Sequence, residues 1–246
     1  MDKMNASIQF DPRVGEQLLK YARMLSARGY VHNTLGNIVI RVPHPGFVYG
    51  LAYTKHAEVS LEEMEADNIV ITDIPTSSIL LGERMTSVGH NLSREILRLR
   101  SDINAVIHVH DDATIALFGS GPAVEFNVIS LDPPFVLGKP VHCVPAHVDV
   151  ESDVTSVETF VQDTNSIILL GHGVTTMGRD ISEAYHRLNT LTAEVRRTIS
   201  AEQIALSKGT TPSYRSREEI ESMYRFADRV IYPDRPEGVM KDDGND

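Results

Sequence analysis

The chemistry in this chain starts with three of its ten histidines. His108 and His110 close the apolar run INAVIHVH. Such a run reads as a buried strand, and side chains two apart on a strand share a face. One strand can therefore hand two imidazoles to one metal ion, although the same pattern also suits two hydrogen-bonded histidines on a half-buried face. His172 shifts the balance, because it lies between Gly171 and Gly173 at the end of a second aliphatic run, NSIILLGHG. Flanking glycines let backbone approach closely and leave the imidazole free at a strand terminus. If the two strands are near one another, three neutral imidazoles can bind one divalent transition metal and leave positions open for water or substrate. A metal held in that way polarises a carbonyl oxygen and stabilises an enediolate.

The elements that must carry these histidines follow from apolar spacing. Val14, Leu18, Leu19, Ala22 and Leu25 recur at helical intervals between Asp11 and Arg28, and Gly29 stops the pattern. Asn33, Thr34, Gly36 and Asn37 form a polar turn into the strand IVIRV, followed by a second strand, FVYGLAYT. KHAEVSLEEMEADN is a connection with one helical turn, IVITDI is a third strand, and SSILLGERMTS holds a further strand or hairpin arm. A helix spans Asn91 to Arg100 ahead of INAVIHVH. ATIALFGS reads as helical, FNVIS and VHCVPA as extended, and Val154 to Gln162 as a short helix. The longest periodic segment, Ile181 to Leu206, is a long helix that starts at a cap on Asp180 or Ser182.

Helices and strands alternate without a Pro- or Gly-rich linker, so one α/β domain is expected, with its core over about residues 11–207. A carboxy-terminal extension with a helical piece at Glu218 to Val230 follows over 208–232, and residues 233–246 read as a flexible tail. Aspartate plus glutamate outnumber lysine plus arginine by 34 to 23, a net charge of -11, which argues against nucleic-acid or anionic-membrane partners. Cys143 is the single cysteine, so an intramolecular disulfide is excluded. The amino terminus lacks the apolar stretch of a secretion signal, and a cytoplasmic protein is expected.

INAVIHVH and, much later, ILLGHGVTTMGRDISEAYHRLNTLTAEVRR resemble the two metal-binding segments of the class II aldolase/adducin family. TLGNIVIRV is similar to that family's glycine-asparagine turn and strand, and YTKHAEVSLEEMEADNIVITDI to its next strand, substrate loop and strand. The likeness runs from about Gln17 to Leu206. It implies a three-layer α/β/α fold around a mostly antiparallel sheet, and a homotetramer with active sites between subunits. It also implies that His108, His110 and His172 bind one divalent metal, zinc first, with iron or manganese as alternatives.

Two departures bear on the chemistry. The family's aldolases carry a catalytic glutamate in an SSE motif before the first metal-binding histidine; counting back from His108 without a gap puts that position at Gly89, inside TSVGHN. A small insertion would instead bring His90, or Glu83, to the metal, and an imidazole at His90 could act as base near neutral pH. The family's phosphate turns match Thr34 to Asn37, Thr54 to Ala57, and Thr86 with Ser87, but Val39 replaces a usual serine, and Lys55, His56 and Ala57 stand where proline, serine and glycine are common. A lysine and a bulky imidazole suit a carboxylate better than a phosphate cradled by amides. Asn37, Thr54, Lys55, Thr86 and Ser87 are therefore expected to bind the substrate, a small oxo or hydroxy acid without phosphate. Tyr214 and Tyr224 are candidates to move a proton from a neighbouring subunit.

The resemblance thus implies a metal-dependent lyase that breaks a carbon-carbon bond beside a carbonyl, by retro-aldol cleavage or decarboxylation. Aldolase-like non-haem Fe(II) oxygenases, which oxidatively decarboxylate aryl 2-oxo and 2-hydroxy acids, are the second expectation, because an oxygenase needs the missing glutamate less. A non-catalytic adducin-like interaction domain is the third.

Overall fold

The computed structural model describes residues 8–121 and 125–230. Helix α1, Pro12–Ala27, begins where the Asp11 side chain accepts a hydrogen bond from the Arg13 amide. Strands β1 (Asn37–His44), β2 (Phe47–Lys55), β3 (Ile69–Asp73) and β4 (Ile79–Leu81) then form an antiparallel meander. Helix α2, His90–Leu99, leads into β5, Ala105–Val109, which is followed by α3, Asp112–Gly119, and α4, Asp132–Leu137. Strand β6 (His142–Val144), the short helix α5 (Glu158–Val161), β7 (Ser166–Leu169) and β8 (Gly173–Gly178) complete the sheet, and α6 (Ile181–Ser207) and α7 (Arg217–Val230) close the described chain.

The eight strands lie in the order β4-β3-β2-β1-β5-β8-β7-β6, and only the β6–β7 pair is parallel. Alternation along each central strand sends neighbours to opposite faces, and both faces are covered. On β1 and β5, Ile38, Ile40, Ala105 and Ile107 join Leu18, Leu25, Leu188 and Leu191 of α1 and α6. Their neighbours Val39 and Val106 join Leu92, Ile96 and Leu97 of α2 and Val161 of α5. The sheet is thus the middle of three layers, with α2 and α5 on one side and α1 and α6 on the other, which is the expected fold. Each fully buried Leu or Ile contributes on the order of 1.5–3 kcal/mol against the entropy of ordering the chain.

Most elements fall where apolar spacing puts them, and α6 takes Asp180 as its cap, the side chain accepting from the Glu183 amide. FNVIS, read as extended, joins no ladder among the described residues, and two further elements, α4 and β8, fall on segments to which apolar spacing assigned none. In FNVIS the Ile129 and Ser130 amides and the Ser130 hydroxyl donate instead to Glu194 of α6. DPPFVL forms α4, where proline at the first turn is compatible with a helix. GVTTMG forms β8, the strand beside β5. No described helix is long and apolar enough to cross a membrane, and the tail from residue 233 lies outside the described residues.

Candidate metal centre and active-site cleft

The histidines meet at the carboxyl end of β5. His108 stands beside Asn37 of β1 and Thr175 of β8, with α2 above that face. His110 follows at the strand's exit, just before Asp111 caps α3. His172 arrives from the β7–β8 hairpin, where Leu169 pairs with Gly173. The two glycines around it do different things. Gly171 has φ +74, a left-handed conformation that L side chains rarely adopt, and a Cβ on Gly173 would fall 2.3 Å from the Val109 carbonyl oxygen. Glycine at 173 lets the hairpin backbone press against β5, so the His172 ring lands on the other two.

Ring centroids of the three imidazoles are 4.8 to 5.1 Å apart, and one ligand nitrogen from each falls within 4.8 Å of the others. The Nε2 atoms of His108 and His110 are 3.1 Å apart. Two nitrogens on one tetrahedral zinc-like ion are separated by about 3.3 Å, given nitrogen-metal bonds of about 2.0–2.1 Å. His108 Nδ1 is 3.0 Å from Thr175 Oγ1, which engages the inner nitrogen and leaves Nε2 for coordination. Burial holds the His108 imidazole well below its usual pKa, with the neighbouring His110 and His172 adding to the effect. His110 is lowered to about 4, by burial first and then by His172 and His32. His172 is also lowered by burial, with Glu151 opposing. All three are neutral at neutral pH, as metal ligation requires. The donor set fits a divalent metal.

His110 and His172 open onto a cleft of about 650 Å³ whose other walls include Ile115, Val148, Val150, Leu170 and Glu151. Position 89 faces His108: a Cβ there would stand 3.8 Å from His108 Cδ2 and 3.0 Å from Asn37 Nδ2. This geometry agrees with the ungapped register. Glu83 lies elsewhere, on a separate cleft with His56, Glu58 and Arg84.

Several residues expected at the substrate are instead sealed inside the chain. His90 is 0% exposed, and its Nε2 is 2.9 Å from Thr72 Oγ1 on β3. Burial, with Arg94 adding, lowers its pKa to about 3. A ring locked against the sheet cannot carry protons to and from a cleft, so the role of base does not fit His90. Thr54 is fully buried and its hydroxyl has no hydrogen-bond partner. Lys55 is fully buried as well, and its ammonium donates 2.7 Å to the Thr34 carbonyl. Burial lowers its pKa to about 8. Neither Thr54 nor Lys55 presents its polar group at the protein surface in this chain. Asn37 is buried beside His108, and its Oδ1 accepts from the Ser93 hydroxyl; Thr86 and Ser87 remain partly accessible.

Of the two tyrosines, Tyr214 donates 2.7 Å to Glu202 of its own chain, and burial together with that carboxylate pushes its hydroxyl up to about 12. Tyr224 is only 8% exposed, and burial raises its pKa; packed into its own chain, it does not suit a role in a neighbouring subunit. Thr175 and Glu151 were not visible as site residues in the sequence, because Thr175 meets His108 through a strand pairing and Glu151 lines the cleft from a loop, and no local pattern encodes either.

Residues 16–197 match the family model described as Class II Aldolase and Adducin N-terminal domain. The chain belongs to the class II aldolase/adducin family. Within that family it is similar to the L-fuculose phosphate aldolase of Methanocaldococcus jannaschii, 28% identical over 190 residues that cover 75% of this chain and 94% of that protein. It is also similar to the 3,4-dihydroxyphthalate decarboxylase of Arthrobacter keyseri, 25% identical over 183 residues, covering 69% of this chain and 71% of that protein. Among solved structures, an aldolase II superfamily protein from Pseudomonas syringae superimposes with a TM-score of 0.72 at 20% identity, over 89% of this chain and 86% of that one. The family's enzymatic members thus include both an aldolase and a decarboxylase.

Proposed function

We propose that this member of the class II aldolase/adducin family is a metal-dependent lyase acting on a small oxo or hydroxy acid without phosphate, by retro-aldol cleavage or decarboxylation. The observation that carries the reading is the convergence of His108, His110 and His172, the last two of which line the cleft. When bound, a divalent ion supplies Lewis-acid stabilisation of the negative charge that develops on a substrate oxygen as the carbon-carbon bond breaks. The three imidazoles would hold it. Thr175 fixes the His108 ring, while Val148, Val150 and Leu170 give the cleft an apolar wall beside its histidines. A purely adducin-like interaction role would leave the three converging imidazoles without a purpose.

The absence of phosphate from the substrate rests on the turn after β2. Its successive amides are already engaged: His56 donates to the Asn68 carbonyl, Ala57 to the Met85 carbonyl and Glu58 to His56 Nδ1, at 2.8 to 3.1 Å. No donor at 56–58 is left to cradle an anion. A second reading, oxidative decarboxylation with Fe(II), draws on Gly89, which puts no carboxylate beside His108. Zinc is the first choice for the lyase and iron for the oxygenase, with manganese a further option for the lyase.

The test is to load the protein separately with zinc, manganese and iron and to assay a panel of 2-oxo and 2-hydroxy acids, with and without phosphate, under nitrogen and in air. The lyase reading expects turnover of a phosphate-free acid under nitrogen. Turnover that requires iron and consumes oxygen favours the second reading, and activity confined to sugar phosphates contradicts the substrate class.

A further inference from the structure

We propose that Glu151 supplies an oxygen donor that completes the histidine metal site, taking the place of a carboxylate at position 89. This rests on the reading of the three histidines as metal ligands. Glu151 Oε1 stands 4.0 Å from His172 Nε2. Among the described residues it is the one carboxylate whose oxygen falls within ion-pair distance of any of the three rings. It lines the same cleft as His110 and His172, and its side chain is 54% exposed, so it has room to turn. Two donors on one ion are about 3.3 Å apart, a distance that a small change in the glutamate's side-chain torsions would reach.

The other nearby carboxylates are committed elsewhere. Asp111 caps α3 through Thr114 and pairs with Arg196 at 2.7 Å. Asp112 pairs with His32 at 3.2 Å. Asp149, also in the cleft wall, accepts hydrogen bonds from the amides of Glu151, Ser152 and Asp153 at 2.8 to 3.1 Å. That arrangement has a consequence for Glu151, since the Asp149 side chain holds the loop that presents it.

The loop is also tied to the segment that lacks a carboxylate. Asn91, two residues beyond Gly89 in the first turn of α2, donates 2.7 Å from Nδ2 to the Glu151 carbonyl. Glycine at 89 brings no side chain to His108, and the same helix start anchors a loop bearing a carboxylate on the cleft side of His172. The donor set then reads three imidazole nitrogens and one carboxylate oxygen, with the acid arriving from the loop before α5 instead of from the start of α2. Such a set suits a hard-to-borderline divalent ion.

Cobalt(II) is the probe, because its visible absorption reports the ligands directly. Wild type and Glu151→Gln, a nearly isosteric change at an exposed side chain, are titrated with the metal alone, and their spectra are compared at saturation. The proposal expects at least a tenfold loss of cobalt affinity in Glu151→Gln, the scale of effect seen when a group in or next to a metal shell is removed. It also expects a changed saturated spectrum, which loss of a distant charge would not produce. Equal affinity within twofold and superimposable spectra would overturn the assignment of Glu151 while leaving the three-histidine site standing. A wild-type protein that binds no cobalt would overturn the metal reading itself. Matching thermal melts of the two metal-free proteins exclude a folding defect.

Discussion

Thr175→Val should weaken metal binding far more than it weakens the fold. The substitution is nearly isosteric at a fully buried position of β8, so it opens no cavity and keeps the strand pairing with β5. What it removes is the hydroxyl 3.0 Å from His108 Nδ1. In the metal-free protein the cost is small, because neutral His108 can place its proton on Nε2, 3.1 Å from His110 Nε2, and leave Nδ1 bare. With a metal on Nε2 the proton must sit on Nδ1, where the variant takes away the Thr175 hydroxyl and leaves the backbone at Val174 as a partner for the ring in a fully buried environment. Loss of a group that orients a ligand histidine typically lowers metal affinity about 10–100-fold, or about 1.4–2.7 kcal/mol. The assay is competitive titration of zinc against a chromogenic chelator, paired with thermal melts of apo and zinc-loaded protein. The expected pattern is an apo melting temperature close to wild type and a reduced zinc-induced rise. Wild-type zinc affinity in Thr175→Val would refute the inference that this hydroxyl orients His108 for coordination.

Gly89→Glu should place a carboxylate at the metal, since position 89 has helical backbone angles and its Cβ site is 3.8 Å from His108; metal affinity should rise or turnover change, provided the Asn37 amide yields a few tenths of an ångström, and a variant indistinguishable from wild type in both would contradict the ungapped register. His90→Gln should retain activity if the protein stays folded, whereas loss of turnover in a folded, metal-loaded variant would restore His90 as a candidate base. The pH dependence of stability follows from the same ring: its folded pKa of about 3 lies below the ordinary 6.5, so the unfolded chain binds more protons between those values and stability falls as pH drops through them. His90→Gln should flatten part of that slope in denaturant titrations of the metal-free protein. Lys55 acts at the other end of the scale, since a folded pKa of about 8 against 10.5 makes stability rise with pH between the two, and Lys55→Met should remove that rise without changing the KM for an acid substrate.

The parts of the fold that were legible in the sequence are those with long apolar periods. Helices α1, α2 and α6 and strands β1, β2, β3, β5 and β7 each repeat branched aliphatics at a spacing that only one element type can bury. Strand β8 was not legible, because GVTTMG is short, bounded by glycines and carries two threonines whose burial depends on neighbours on both sides. The same holds at the site. His108 and His110 could be paired from strand alternation alone, and the glycines around His172 signalled a close approach that the backbone of Gly173 makes. His90, Lys55 and Thr54 read as site residues because polar groups near a motif invite that reading, yet their environments are set by Thr72, by the Thr34 carbonyl and by the depth of β2 in the sheet. Those are contacts between distant segments, and no local spacing records them.

The central claim is that His108, His110 and His172 hold one divalent ion, and metal stoichiometry tests it most directly. Wild type and His110→Ala are loaded with zinc, dialysed side by side and analysed by elemental mass spectrometry, with circular dichroism to verify that both are folded. The account predicts one zinc per wild-type chain and a folded variant that retains essentially none. A wild-type chain without stoichiometric metal, or a His110→Ala chain that keeps its full complement, would contradict it.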